Sequence, residues 1–316
     1  MVWDGIIACY LFLAGLGAGA FAFAALVRFV KPEAMELRRI GYIMAPIAVG
    51  VGTLLLMVDA KAGLMNPLRF FALVTNLSSI MAWGVIILMA FMAVSIVVAI
   101  LVLMKKSVPM WLDIAGLVCA VAVAMYTGML LGDAPGFPLW NPFVLPLLFL
   151  VSATSSGFAA VVLVAHIMKI HDVDDISFLK KTGLAFPVAE AVLIAVLLGV
   201  TASTAGSSSV GAHASVANLI SGSYAVLFWL GLVGIGLIFP FVVEVMQASK
   251  VKKTVAVPSL AAAGAGEAGV VVESGNAKDK AKSQSGLAMA GEAGVLVGGF
   301  LLRFLIIMAA LPVSLM

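Results

Sequence analysis

A chain of 316 residues that is 64% hydrophobic and 10% charged is not a water-soluble globule, in which about a quarter of residues are charged. No single core of this size hides so much apolar surface from water, so lipid is the solvent. The net charge of +3 is small and its carriers sit in loops, which gives no sign of a nucleic-acid partner.

Taken in chain order, eight apolar stretches are predicted to cross a bilayer: residues 5–29, 40–60, 77–103, 109–131, 142–168, 184–201, 219–246 and 290–314. Each has about 18 or more residues of low charge, enough at 1.5 Å per residue to cover a hydrocarbon core of ~30 Å. The fold class is therefore an all-α integral membrane protein. Met1-Val2-Trp3-Asp4 lacks a positive n-region, and the apolar run that follows is too long for a signal-peptide core, so the first span is expected to stay in the protein.

The basic residues fix an orientation. Arg28, Lys31, Arg38, Arg39, Lys105, Lys106, Lys169, Lys180, Lys181, Lys250, Lys252, Lys253, Lys278, Lys280 and Lys282 fall on one side, and only Lys61 and Arg69 on the other. Fifteen against two places the first side in the cytoplasm and both termini on the outer, periplasmic side of the cell inner membrane.

Metal-ligating residues are scarce. Cys9 and Cys119 lie within spans, where packing is their expected role, and neither forms a CxxC pair. The three histidines are His166 near the inner end of span five, His171 in a cytoplasmic loop and His213 in an outer loop. A membrane b-type haem wants axial histidines from facing spans, so the protein is expected to carry no haem, no iron–sulfur cluster and no other metal. Residues 247–289 turn to Ala, Gly, Ser and Lys and read as a flexible cytoplasmic loop. Within and just beyond it Ala265-Gly266-Glu267-Ala268-Gly269-Val270 recurs as Ala290-Gly291-Glu292-Ala293-Gly294-Val295, which fits repeat slippage better than a binding motif.

Polar residues at membrane depth are expensive and are functional candidates by default. One group gathers toward the outer side: Tyr10 in span one, Asp59 ending span two, Asn76 and Ser78 starting span three, Tyr126 in span four and Asp133 closing it. A stiff interfacial segment with three prolines and Trp140 follows, from Gly132 to Pro142. Gly15, Gly17 and Gly19 in span one either let a neighbouring helix approach closely or leave room for a flat ligand. Donors, carboxylates and an amide around such a gap are what a quinone headgroup needs; ordinary interfacial anchoring is the competing reading. A second group lies deeper: Arg303 mid-span, Glu190 about two turns into span six, and His166 and Glu244 near the cytoplasmic ends of spans five and seven. His166, Glu190 and Arg303 are expected either to line a proton path or to be a structural ion pair beside a snorkelling histidine.

Several ordered motifs together resemble the NrfD family, which includes the polysulfide reductase membrane subunit. They are Tyr10-Leu11-Phe12-Leu13-Ala14-Gly15-Leu16-Gly17-Ala18-Gly19, Tyr126-Thr127-Gly128-Met129-Leu130-Leu131, Pro138-Leu139-Trp140-Asn141 leading to Leu145-Pro146-Leu147-Leu148-Phe149-Leu150-Val151-Ser152-Ala153, and Gly298-Gly299-Phe300-Leu301-Leu302-Arg303. The resemblance implies a haem-free anchor of two four-helix bundles that binds quinol or quinone, menaquinone or ubiquinone. It also implies a docked ferredoxin-like iron–sulfur subunit on the outer side and a molybdopterin or multihaem catalytic subunit beyond it. Residues 1–133 would form the bundle with the quinone site, 134–246 spans five to seven, 247–289 the loop and 290–316 span eight. Tyr126 takes the position of the family's headgroup-binding tyrosine, with Tyr10, Gly15, Asn76 and Trp140 around it and Asp59 or Asp133 as proton acceptor. Span one here has neither the Asn nor the His that the polysulfide reductase site uses. A proton-coupled secondary transporter and a purely structural anchor are the alternatives.

Overall fold

In hydrocarbon every backbone amide and carbonyl must find its partner within the segment, so each apolar stretch winds into a helix whatever its glycine content. The computed structural model describes residues 5–59, 79–134, 136–170, 177–255 and 274–313. They form α1 (Gly5–Val30), α2 (Met35–Asp59), α3 (Ile80–Leu103), α4 (Met110–Gly132), α5 (Val144–Ile167) and α6 (Ser177–Ala202). A short α7 (Ser209–Ile220) precedes a π-wound α8 (Leu227–Ile238), which continues directly into α9 (Phe239–Val255), and α10 (Ser274–Met308) completes the set.

Eight segments among these are long and apolar enough to cross a membrane, one for each predicted span, which makes the chain a multi-pass membrane protein. Several boundaries differ from expectation, span two among them, which starts at Met35 and not at 40. Span seven starts at Leu227 and not at 219, because residues 209–220 fold as the separate α7. The last span starts at Gly286 and ends at Met308, while α9 runs on to Val255 and α10 begins at Ser274, so both ends of the expected 247–289 loop are helical. Its Ala and Lys content looks low in complexity, yet these are good helix formers, and a helix already nucleated extends into them. Residues 256–273 lie outside the described residues.

Helices α1 and α5 are the most enclosed, and α3 and α6 the least. The outer faces of α3 and α6 present Trp83, Met89, Ile96, Val188, Val192 and Val196 where lipid would lie. α1 packs on α2, α4, α5 and α10; α3 on α2 and α4; α5 on α4, α6 and α10; α8 and α9 on α6 and α10. Small residues make the closest crossings possible. A Cβ on Gly19 would stand 2.0 Å from the carbonyl oxygen of Ala153, and one on Gly157 would stand 2.3 Å from the carbonyl carbon of Gly19, so α1 and α5 touch backbone to backbone.

The lysine-rich turns share one end of the bundle. There α3 and α5 stop with the same cap: Lys105 (φ 56°) and Lys169 (φ 58°) are left-handed, and the next amide turns back to the helix, Lys106 to Leu101 at 2.9 Å and Ile170 to Ala165 at 3.0 Å. At the opposite end Trp140 donates its indole N–H to the carbonyl of Ile306 at 2.9 Å and stacks on Phe137. That carbonyl belongs to the last turn of α10, where helix carbonyls lack an intrahelical partner, so Trp140 is a cap that ties the α4–α5 connection to α10. Trp140→Phe is expected to lower stability by about 1–2 kcal/mol, read as a drop of a few degrees in the melting of the detergent-solubilised protein.

Candidate functional site

The outer-side candidates begin with two phenols. Tyr10 on α1 is 3% exposed and Tyr126 on α4 is 7% exposed, and Tyr126 lies within electrostatic range of both Tyr10 and Asp133. Gly84 of α3 makes room for the Tyr126 ring: a Cβ there would fall 1.6 Å from Cζ, so no other residue type leaves the ring where it is. Gly52 of α2 lets Leu13 and the Tyr10 carbonyl come close to the same wall. Neither phenol hydroxyl has a hydrogen-bond partner among the described residues. Asp133 caps α4 and is exposed. Asp59 is the last residue of α2; its side chain, and all of Asn76 and Ser78, lie outside the described residues.

Two residues expected beside this site sit elsewhere. Trp140 is committed to its capping bond. Gly15 faces the centre of the protein, where the space of its missing side chain is filled: a Cβ would meet an Arg303 terminal nitrogen at 2.6 Å and Ala153 at 3.2 Å. The glycines of span one therefore serve helix packing and Arg303.

Arg303 is wholly buried, which at membrane depth demands an account of its five N–H donors. Its side chain turns back along α10, as helical side chains do, and one terminal nitrogen donates to the Gly299 carbonyl at 2.8 Å and to Ser152 Oγ at 3.1 Å. The guanidinium carbon stands 5.1 Å from the Phe149 ring centroid and 5.9 Å from that of Phe12. Nε and the other terminal nitrogen have no partner among the described residues. Glu190, 4% exposed, is close enough to interact electrostatically with Arg303, but among the described residues they form no ion pair within 4.0 Å. One Glu190 oxygen is held by Ser155 and the other is unpartnered. Donors and an acceptor left open on facing groups are the arrangement that a bridging water satisfies.

Ser155 leads from Glu190 to a cavity of about 100 Å³ between α5, α6, α9 and α10. Both Ser155 and His166 line it. They lie eleven residues apart on α5, so the cavity follows about 16 Å of helix from the lysine-rich end inward. Several waters fit, since each needs about 10–15 Å³ of such space. Thus His166 lies toward the lysine-rich end, Glu190 further in, and Arg303 beyond it, only five residues before the end of the last span at Met308 and not at mid-span as expected. Among the described residues no three His, Cys, Asp or Glu side chains converge as a metal site requires.

One polar cluster escaped the sequence reading. Asp113, in the first turn of α4, is fully buried; it accepts from Arg28 of α1 and from Tyr42 of α2, the latter at 2.9 Å. Three helices are pinned there. An acid in a first helical turn reads as a partner for the helix dipole, which concealed it; the usable signal was its place inside an apolar span with Arg28 closing span one on the same side.

The family model for polysulphide reductase, NrfD matches residues 1–274 of the chain. The C subunit of polysulfide reductase from Wolinella succinogenes is 33% identical over 271 residues, covering 78% of this chain and 83% of the relative. Protein NrfD of Escherichia coli K12 is 31% identical over 306 residues, 86% of this chain and 92% of the relative. The NrfD homologue of Haemophilus influenzae is 28% identical over 284 residues, with coverage of 80% and 86%.

Proposed function

Because this chain belongs to the polysulphide reductase, NrfD family, we propose that it is the membrane-anchor subunit of a respiratory oxidoreductase complex in the inner membrane. It binds a quinol or quinone near the outer face and exchanges electrons with a docked ferredoxin-like iron–sulfur subunit. A molybdopterin or multihaem subunit beyond that carries the terminal chemistry. One relative is named as a single lettered subunit of polysulfide reductase, that is, as one part of an enzyme built from several, which supports a subunit role. The lysine-rich end faces the cytoplasm. The packing supports two bundles: α1 to α4 pack among themselves, α5, α6, α8, α9 and α10 among themselves, and α1, α4, α5 and α10 meet at the seam.

The observation that supports the quinone site is the pair of buried side chains Tyr10 and Tyr126, whose hydroxyls have no hydrogen-bond partner among the described residues, with Asp133 near Tyr126. A phenol hydroxyl that no protein group satisfies can bond a ligand with carbonyl or hydroxyl oxygens. A bound quinol supplies two electrons and two protons to the chemistry there. Tyr126 donates to a headgroup oxygen, and Tyr10 closes the α1 side and keeps water from the ring. Asp133, exposed at the end of α4, accepts a released proton and passes it to the outer phase; Asp59 is the second candidate for that task. His166, Glu190 and Arg303 form the proton path from the cytoplasmic side.

The test is Tyr126→Phe in the purified complex. Loss of one hydrogen bond to a group that develops charge is worth about 1.5–3 kcal/mol, so kcat/KM for quinol is expected to fall roughly tenfold to a hundredfold with the subunits still associated. Full quinol oxidation with unchanged affinity would overturn the assignment. Iron–sulfur absorption in the purified complex separates this reading from a transporter, which would instead move substrate in liposomes holding this protein alone.

A further inference from the structure

The Tyr126 phenol occupies the place where α3 would otherwise carry a side chain. The three atoms nearest a Cβ built on Gly84 are Cζ, Oη and Cε1 of Tyr126, and it would overlap all of them. They belong to the hydroxyl end of the ring and not to its base, so the bare backbone at 84 decides where the oxygen comes to rest. Carbon atoms in ordinary contact stand about 3.5–4.0 Å apart, so a side chain at 84 would displace the hydroxyl by on the order of 1–2 Å. A hydrogen bond between oxygens forms at about 2.5–3.0 Å, and a shift of that size breaks it.

The opposite side of α4 decides which partner gives way. A Cβ on Gly128 would stand 2.6 Å from the Leu145 carbonyl carbon and from Pro146 Cα, and one on Gly132 would stand 2.6 Å from Pro142 Cα, all backbone atoms at or just before the start of α5. Gly128 follows Tyr126 by two residues, about 200° around the helix, so α4 rests on α5 with one face and offers Tyr126 to α3 with the other. It has no room to recoil. The α3 wall is of another kind, because α3 packs on α2 and α4 and is among the least enclosed helices of the bundle. Trp83, next to Gly84, is 53% exposed, so α3 has lipid behind it at this level. A methyl group at 84 is accommodated by a turn of the phenol and a small outward shift of α3, and the fold survives.

We propose that Gly84 is a positioning residue of the quinone site, which holds the Tyr126 hydroxyl where it reaches the headgroup and acts on the reaction only through that hydroxyl. The inference rests on the assignment of Tyr126 to the headgroup for its functional consequence; the placement of the hydroxyl by α3 does not depend on it.

The test is a double-mutant cycle on the purified complex, with a short-chain naphthoquinol as the electron donor. Gly84→Ala should lower kcat/KM for this quinol about tenfold or more, since a misplacement of about 1 Å costs up to roughly a hundredfold. In the Tyr126→Phe background the same change should cost less than about twofold, because no hydroxyl is left to displace. A second readout needs no quinone. With 3-fluorotyrosine at the four tyrosines, the fluorine resonance that Tyr126→Phe removes should move in Gly84→Ala, while those of Tyr42 and Tyr224 stay in place. Losses that multiply in the double variant, a Tyr126 resonance that does not move, or a Gly84→Ala protein that fails to accumulate in the membrane would each overturn the proposal. So would full quinol oxidation by Gly84→Ala where Tyr126→Phe is impaired, which leaves the quinone site standing. A resonance that moves while both variants oxidise quinol normally overturns the quinone-site assignment, and the role of Gly84 with it.

Discussion

Gly157→Val should abolish assembly of the protein in the membrane. The atoms that a side chain would meet at this position are the carbonyl carbon of Gly19 at 2.3 Å and the amide of Ala20 at 2.4 Å, both backbone. A flexible neighbour could swing aside; two helix backbones cannot. Overpacking of an ordinary core costs about 1–3 kcal/mol because side chains give way. Here α1 and α5, the two most enclosed helices, would have to separate along their length, undoing their contacts with α2, α4 and α10 as well. Against a total stability of roughly 5–15 kcal/mol, that is enough to lose the fold. Gly19→Ala should show the milder form, a clear drop in melting temperature. Gly199→Ala, where a Cβ meets nothing within 4 Å, should be neutral, and membrane yield with thermal melting reads all three. A Gly157→Val protein that accumulates and melts normally would disprove the α1–α5 crossing.

The second large effect concerns Asp113. Removing one member of a buried ion pair is worth about 3–5 kcal/mol, because the charge left behind is neither hydrated nor paired. Arg28 retains 25% of its side-chain exposure and can turn partly to water, so Asp113→Ala should fall near the lower end of that range. The Tyr42 hydroxyl adds about 1–3 kcal/mol, since it is buried and loses its acceptor. The revealing comparison is with the double variant Asp113→Leu, Arg28→Leu, which removes both charges and should be more stable than Asp113→Ala alone. If the single and double variants melt alike, the pair does not hold these helices together.

How much of this was legible in the sequence depended on the kind of signal. Length and charge marked all eight spans, since a helix that must cross lipid leaves a stretch that nothing else produces. The start of span seven was misplaced because α7 is itself apolar and is set off only by the short turn after Ile220. Packing faces were not legible: α3 and α5 are apolar on every side, so no periodic stripe tells which face looks inward. That is why Gly15 could be read as a ligand gap although Arg303 fills it, and why Trp140 looked like an interfacial anchor although it caps α10. Tyr10 and Tyr126 were singled out as hydroxyls in spans, a signal that Tyr42 carries as well without having been picked out. Asp113 was hidden by the helix start it occupies. In each case the deciding fact was a contact between distant parts of the sequence.

The cavity of about 100 Å³ runs inward from His166 to Ser155 and stops short of Arg303, which is not among its lining residues. Behind Ser155 and Glu190 stands the guanidinium of Arg303, held by Gly299 and Ser152 and flanked by the rings of Phe12 and Phe149. A fixed, fully buried positive charge raises the electrostatic cost for any cation that approaches it from the cavity side. The residue that is hardest to bury in this protein thus lies one step beyond the end of its cavity.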